Sequence, residues 1–260
     1  MLRIIALIYG IFCYALFFVT FLYAMGFVAG FGVPKHIDTG LEGSPAVALL
    51  LNIALLTLFA LQHSVMARPA FKRWWTRIVS PAVERSTYVL FSSLALIALY
   101  YGWQPLPVAV WQIDAEPLRW LLYALSATGW LIVLTGTFLI SHFDLFGLRQ
   151  VWLHARRQPY THFPFVTRGF YRLVRHPLML GFLIAFWATP TMSQGHFLFA
   201  LVTTVYIVVA VKYLEERDLV AALGDQYRDY QRRVPMLLPL TKPLPPTRPS
   251  AVRSGRLRAT

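Results

Sequence analysis

Charge is scarce in this sequence, and acidic charge scarcer still. Asp, Glu, Lys and Arg make up 13% of the 260 residues, against about 25% in ordinary soluble domains. There is one cysteine, Cys13. That excludes a disulfide scaffold and a cysteine-held zinc site. The seven histidines include no H-x-x-x-H and no H-E-x-x-H pair, so no metal centre is expected. No glycine-rich strand–turn–helix occurs, which argues against a dinucleotide-type cofactor fold. No module interleaves basic and aromatic residues over a surface, so the net charge of +13 does not point to nucleic acid.

What the sequence has instead is apolar length. Hydrophobic residues reach 57%, and mean hydropathy is +0.56. A soluble globule cannot hide that much apolar surface, so the chain reads as an integral membrane protein. The first apolar run is too long for the ~7–15-residue core of a cleavable signal. Six stretches stand out: Ile4 to Ala29, Ala46 to Val65, Tyr88 to Trp103, Leu118 to Ile140, Leu178 to Thr191 and Phe197 to Leu214. A span needs ~20 apolar residues. The third stretch is somewhat short. The last two are short and close together, and read as a helical hairpin that need not cross fully.

Basic residues set the direction. Arg68, Lys72, Arg73, Arg77 and Arg85 follow the second stretch; Arg149, Arg156, Arg157, Arg168, Arg172 and Arg175 follow the fourth. Lys35 is the sole Lys or Arg in the loops Gly30 to Pro45 and Gln104 to Pro117. Positive loops face the cytoplasm. The expected fold class is therefore all-α: a polytopic helical bundle of five to six spans, both termini cytoplasmic, with a cytoplasmic C-terminal helix. A bacterial inner membrane is the expected location. Residues 1–240 form one domain, and 241–260 a basic, proline-rich tail suited to anionic lipid.

Polar clusters gather at the inner ends of the spans. They are Gln62-His63-Ser64, then Ser141-His142-Phe143-Asp144, then Thr167 to Pro177, then Lys212 with Glu215, Glu216 and Asp218. All lie on the predicted cytoplasmic side and could converge. Pro177 suits the first position of a helix, and His176 before it is held extended. That helix start favours an anion. Arg175 and His176 at the hairpin's start, and Glu215 and Glu216 at its end, could grip the two charged ends of an amino acid. In the plainer alternative, Arg175 is a membrane-side anchor and His176 a cap. Leu219, Leu223, Tyr227, Tyr230 and Val234 recur at helical spacing and read as packing, with Gly224 interrupting them.

The run Thr167, Gly169, Tyr171, Arg175, His176, Pro177, Gly181, with Glu215, Glu216, Leu219, Gly224, Tyr227, Tyr230, Val234 and Pro235, resembles the C-terminal half of the isoprenylcysteine carboxyl methyltransferase superfamily. Leu61 to Arg68 and Ser141 to Val151 narrow this to a resemblance to its methanethiol S-methyltransferase branch, grouped near nitrite-response and nurim-like membrane proteins. The resemblance implies S-adenosyl-L-methionine as cofactor, held within about residues 160–236 by Tyr171, His176, Pro177, Leu178, Met179 and Glu215. It implies a small volatile thiol as acceptor, methanethiol yielding dimethyl sulfide, and hydrogen sulfide as a further substrate. No obligate protein partner is implied.

Departures from the prenylcysteine pattern favour a small neutral acceptor. Leu178-Met179 replaces a serine-tyrosine pair, Phe163 with His162 beside it stands where a histidine is expected, and Val211-Lys212 replaces an arginine. The thiol is expected near His63, His142 and Asp144, with Asp144 first choice as proton acceptor, directly or through His142, and Arg175 as charge stabiliser. Two other readings stay open. One is the same fold acting on an isoprenoid or lipid acceptor. The other is a non-enzymatic membrane protein of the nitrite-response type, disfavoured by the apolar middles of the spans.

Overall fold

The computed structural model describes residues 1–41, 43–161, 163, 165 and 167–240. The tail 241–260 and His162 lie outside the described residues. Five helices are long and apolar enough to cross a membrane: α1 (Leu2–Ala29), α2 (Pro45–Ala67), α4 (Pro81–Gly102), α5 (Glu116–Ile140) and a thirty-residue helix, Gln194–Leu223. A short helix α3 (Pro69–Trp75) follows α2, and α6 (His142–Leu145) and α7 (Leu148–Ala155) follow α5. The hairpin consists of α8 (Pro177–Trp187) and α9 (Gln194–Ala210). A π turn (Val211–Glu215) carries α9 into α10 (Glu216–Leu223), and α11 (Asp225–Arg233) ends the fold. This is the all-α, polytopic architecture that composition implied.

The third apolar stretch is longer than hydropathy suggests. Ser80 caps α4 through Ala82 N–H and Pro81 takes the first position, so the helix starts seven residues before Tyr88. Its first turns carry Glu84 and Arg85, which a hydropathy reading discards. The fifth stretch is shorter: α8 ends at Trp187, and Thr191–Ser193 pairs antiparallel with Ala109–Gln112, forming strands β2 and β1. At 1.5 Å per residue α8 spans only ~16 Å, about half a bilayer core. The extended segment after it pairs with the loop between α4 and α5.

Packing against α5 fixes where α8 begins. A Cβ on Gly129 would lie 2.6 Å from Gly181 O and from Ala185 N, so the two backbones touch. Small residues permit such contact in membranes. Gly181, one turn into α8, thus admits the backbone of α5. Gly136 faces Leu178, so the start of α8 lies level with the last turn of α5. Phe27, Leu99, Trp103, Trp130, Phe186 and Phe199 form the main buried cluster. A second, of Tyr227, Tyr230 and Val234, seats α11 at the basic end of the molecule.

Candidate active site

At the start of α8 the chain turns through Arg175-His176-Pro177. The segment after α11 pins this turn: Arg175 N–H donates to Pro235 O (2.9 Å) and His176 N–H to Met236 O (3.1 Å). Glu216 comes in from α10. Its Oε1 accepts from Arg175 Nε at 2.6 Å and lies 3.2 Å from His176 Nε2; its Oε2 accepts from Gln231 Nε2 at 3.1 Å. Arg175 Nη1 also donates to the carbonyls of Gln231 and Val234, at 3.1 and 2.5 Å. Tyr227 donates to Glu216 at 3.5 Å, and Tyr230 to Tyr171 O at 2.5 Å. Burial opposes charge on His176, but the carboxylates of Glu215 and Glu216 outweigh it and raise its pKa. His176 thus faces two acids that favour its protonated form.

The two glutamates differ sharply. The Glu216 side chain is 11% exposed and fully engaged; that of Glu215 is 45% exposed, with His176 Nδ1 3.6 Å away. Arg175 meets Glu216 rather than standing across a gap from it. The expected grip on both ends of an amino acid therefore narrows, on the acidic side, to Glu215. Neighbouring helix residues point about 100° apart, and the π turn sets which of the two meets Arg175. One extra residue in a turn rotates the downstream helix by about 100°, and it falls immediately before Glu216.

The structure brings Tyr171, Arg175, His176, Pro177 and Glu215 together. Leu178 and Met179 open α8, and Tyr171 donates to Gly136 O at 3.5 Å. The three other candidates lie apart. His142 is wedged beneath α1: Nε2 is 2.8 Å from Tyr14 Oη, Nδ1 is 2.8 Å from Thr137 Oγ1, and the ring stacks on Phe138 at 4.2 Å. Thr137 gives its proton to Leu134 O, so it accepts from His142 Nδ1, which leaves Nε2 to accept from Tyr14. Burial lowers the pKa of His142, keeping it neutral. Asp144 pairs with Arg149 (3.1 Å) and accepts from Tyr160 (3.1 Å). It lines a cavity of about 740 Å³ with Lys72, Arg85 and Tyr160, among whose lining residues neither His176 nor Glu215 appears. His63 sits with Tyr88 and Ser92.

Sequence reasoning gave several residues of these networks no polar role. Gln231 carried no signal. Tyr227 and Tyr230 were read as packing, which they do provide, but their hydroxyls also serve the clamp. Tyr206, which bonds Ser64, sat unnoticed in an apolar run. A tyrosine among aliphatic residues within a span was the available signal.

An all-helical bundle with an acid–base clamp at its basic end defines a polytopic membrane protein with a built polar site. Comparison with known proteins then gives its kinship. A family model described as "Protein of unknown function (DUF1295)" matches residues 52–234. The chain is 54% identical over 239 residues to a methanethiol S-methyltransferase of Mycobacterium tuberculosis, covering 92% of this chain and 98% of that one. It is 53% identical over 237 residues to methanethiol S-methyltransferase 1 of Bradyrhizobium diazoefficiens, covering 91% and 83%. Nurim of Sus scrofa is 33% identical over 187 residues, covering 68% and 70%. No solved structure matches. The chain belongs to the DUF1295 family, and its relatives named methanethiol S-methyltransferase mark it as a methyltransferase.

Proposed function

We propose that this protein transfers a methyl group from S-adenosyl-L-methionine to methanethiol, giving dimethyl sulfide, at the cytoplasmic face of a bacterial inner membrane. The observation that carries the reading is the contrast between the two glutamates. Glu216 is consumed by Arg175, His176 and Gln231, while Glu215 beside it stays half exposed. A carboxylate held next to a helix start fits an amino-acid ligand. Glu215 suits its ammonium, and the first N–H groups of α8, on Leu178 and Met179, suit its carboxylate. Tyr171, His176 and Pro177 complete the surround. The cofactor would supply an electrophilic methyl group on a sulfonium.

The protein's own part is to position, to exclude water and to take a proton. Thiolates, not thiols, are the strong nucleophiles. Of His63, His142 and Asp144, His63 suits the proton acceptor best. Asp144 is held by Arg149 and Tyr160, and His142 lies beneath α1 against Tyr14 and Thr137, apart from the glutamate clamp. His63 adjoins Ser64, which bonds Tyr206 on the long helix that also carries Glu215. Arg175 then acts as a clamp on Glu216 rather than on the acceptor. Hydrogen sulfide, smaller than methanethiol, is a further acceptor on this reading. The relatives named as methanethiol S-methyltransferases favour the thiol over a lipid acceptor.

Titration calorimetry tests the cofactor half. The purified protein is expected to bind S-adenosyl-L-methionine, and Glu215→Ala to bind it ~10–150-fold more weakly, the range for losing a hydrogen bond to a charged group at about 1.5–3 kcal/mol. No binding by the wild type, or equal binding by the variant, overturns it.

A further inference from the structure

Helices α2, α4 and α9 carry a polar group inside the membrane that the glutamate clamp does not use. Polar side chains in a span are costly and tend to be functional. His63 lies one turn before the end of α2. Its ring stacks on Phe59 (5.2 Å between centroids), Tyr88 Oη lies 3.0 Å from its ring nitrogens, and Ser92 Oγ is 3.3 Å from Nδ1. From the other side α9 sends Tyr206. The Tyr206 hydroxyl is 3.0 Å from Ser64 Oγ, and its ring meets Phe59 edge-on at 6.5 Å. Leu61 and Val65 on α2, and Val205 and Val209 on α9, are exposed, so the seam between these helices faces hydrocarbon. Tyr206 bridges that seam. The charged groups facing the pair are Arg68, Arg85 and Glu215.

We infer that Tyr206 determines specificity: its ring closes the α2–α9 seam, so that only a small uncharged thiol passes from the bilayer to His63. This rests on the methyl-transfer reading. A short neutral thiol dissolves in hydrocarbon and needs no aqueous channel, whereas a thiolate would be repelled from it. At His63 the S–H bond breaks, an N–H bond forms on the imidazole, and the electron pair stays on sulfur. Tyr88 and Phe59 hold the ring while this happens. The proton leaves afterwards to water at the basic end. A larger acceptor must displace Tyr206, breaking its bond to Ser64 and its contact with Phe59.

The test uses full-length protein in nanodiscs, without cofactor, and watches the His63 ring signal by NMR, assigned by its loss in His63→Gln. Dimethyl sulfide and dibutyl sulfide are the probes. In wild type, dimethyl sulfide is expected to shift the signal and dibutyl sulfide not. Tyr206→Phe keeps the ring and should behave as wild type. Tyr206→Ala should respond to both, and its kcat/KM for butanethiol relative to methanethiol should rise by at least about tenfold, the scale on which pockets discriminate methylenes. An unchanged probe pattern and rate ratio in Tyr206→Ala overturns the inference. A wild type that methylates no thiol, yet shows the probe pattern, overturns the functional reading and leaves the seam assignment standing.

Discussion

Glu215 and Glu216 are neighbours in sequence with opposite duties, and substitution should separate them. Glu216→Gln keeps the shape but leaves Arg175 without its counter-charge in a nearly buried site. Removing one partner of a buried pair costs about 3–5 kcal/mol, so its unfolding midpoint is expected to fall steeply. Glu215→Ala should melt like wild type while losing cofactor affinity. Equal loss of stability in both would make Glu215 part of the clamp. The sequence located this pair and its partners Arg175 and His176, because charged residues at span ends are conspicuous. It could not rank them, since both glutamates have the same neighbours in the chain. The same limit affected Asp144 and His142. Pairing of Asp144 with Arg149 was an open alternative in sequence, but Tyr160 on Asp144 and Tyr14 and Thr137 on His142 gave no signal there. Asp144→Asn is accordingly expected to retain most of its kcat, and His63→Gln to lose ~10²-fold or more, the usual scale of a general base. Headspace assays on the two variants would decide between them, and the reverse order would return the role to Asp144.

The π turn and the start of α8 are the elements that make the site. Deleting Lys212 should restore ordinary helical winding and turn the residues beyond it by about 100°. Membrane insertion and helix content should survive, while cofactor binding is lost; circular dichroism and calorimetry would show both. Binding retained by the deletion would mean the turn is incidental. The clamp should also depend on pH. His176 has a raised pKa, so its contribution to stability is full below the ordinary histidine range and fades as pH rises through the raised value. The unfolding midpoint should therefore drop as pH rises above the ordinary histidine range, and less so in His176→Gln. A midpoint as pH-sensitive in the variant would assign the effect to another group. The six apolar runs were legible from hydropathy, but their ends were not. Ser80 and Pro81 began α4 early, and β-pairing at Thr191 to Ser193 ended the hairpin's first arm. Neither a cap with polar first turns nor a strand made by a distant loop leaves an apolar signature.

Across the whole molecule, the arrangement is what one-sided basic loops imply. Arg68 bonds Asp218 and Arg85 bonds Leu145 O at one end, while Trp103 bonds Ile37 O and Asn52 bonds Gln104 at the other. Cysteines placed at Lys35 and Arg157 should label from opposite faces of intact cells and inverted vesicles; labelling from one face alone would break the topology. Overall architecture was readable because the bilayer imposes length and helical structure on every span. The acceptor region was less readable, because it is assembled from α2, α4 and α9, each nearly featureless alone. The central claim, methyl transfer to a small thiol, is tested most directly by one incubation. Purified protein, S-adenosyl-L-methionine carrying a trideuterated methyl group, and methanethiol are combined, and the headspace is read by mass spectrometry. The expected product is dimethyl sulfide bearing one trideuterated methyl, formed in proportion to enzyme. Label found only in lipid, or none in the headspace, would contradict the account.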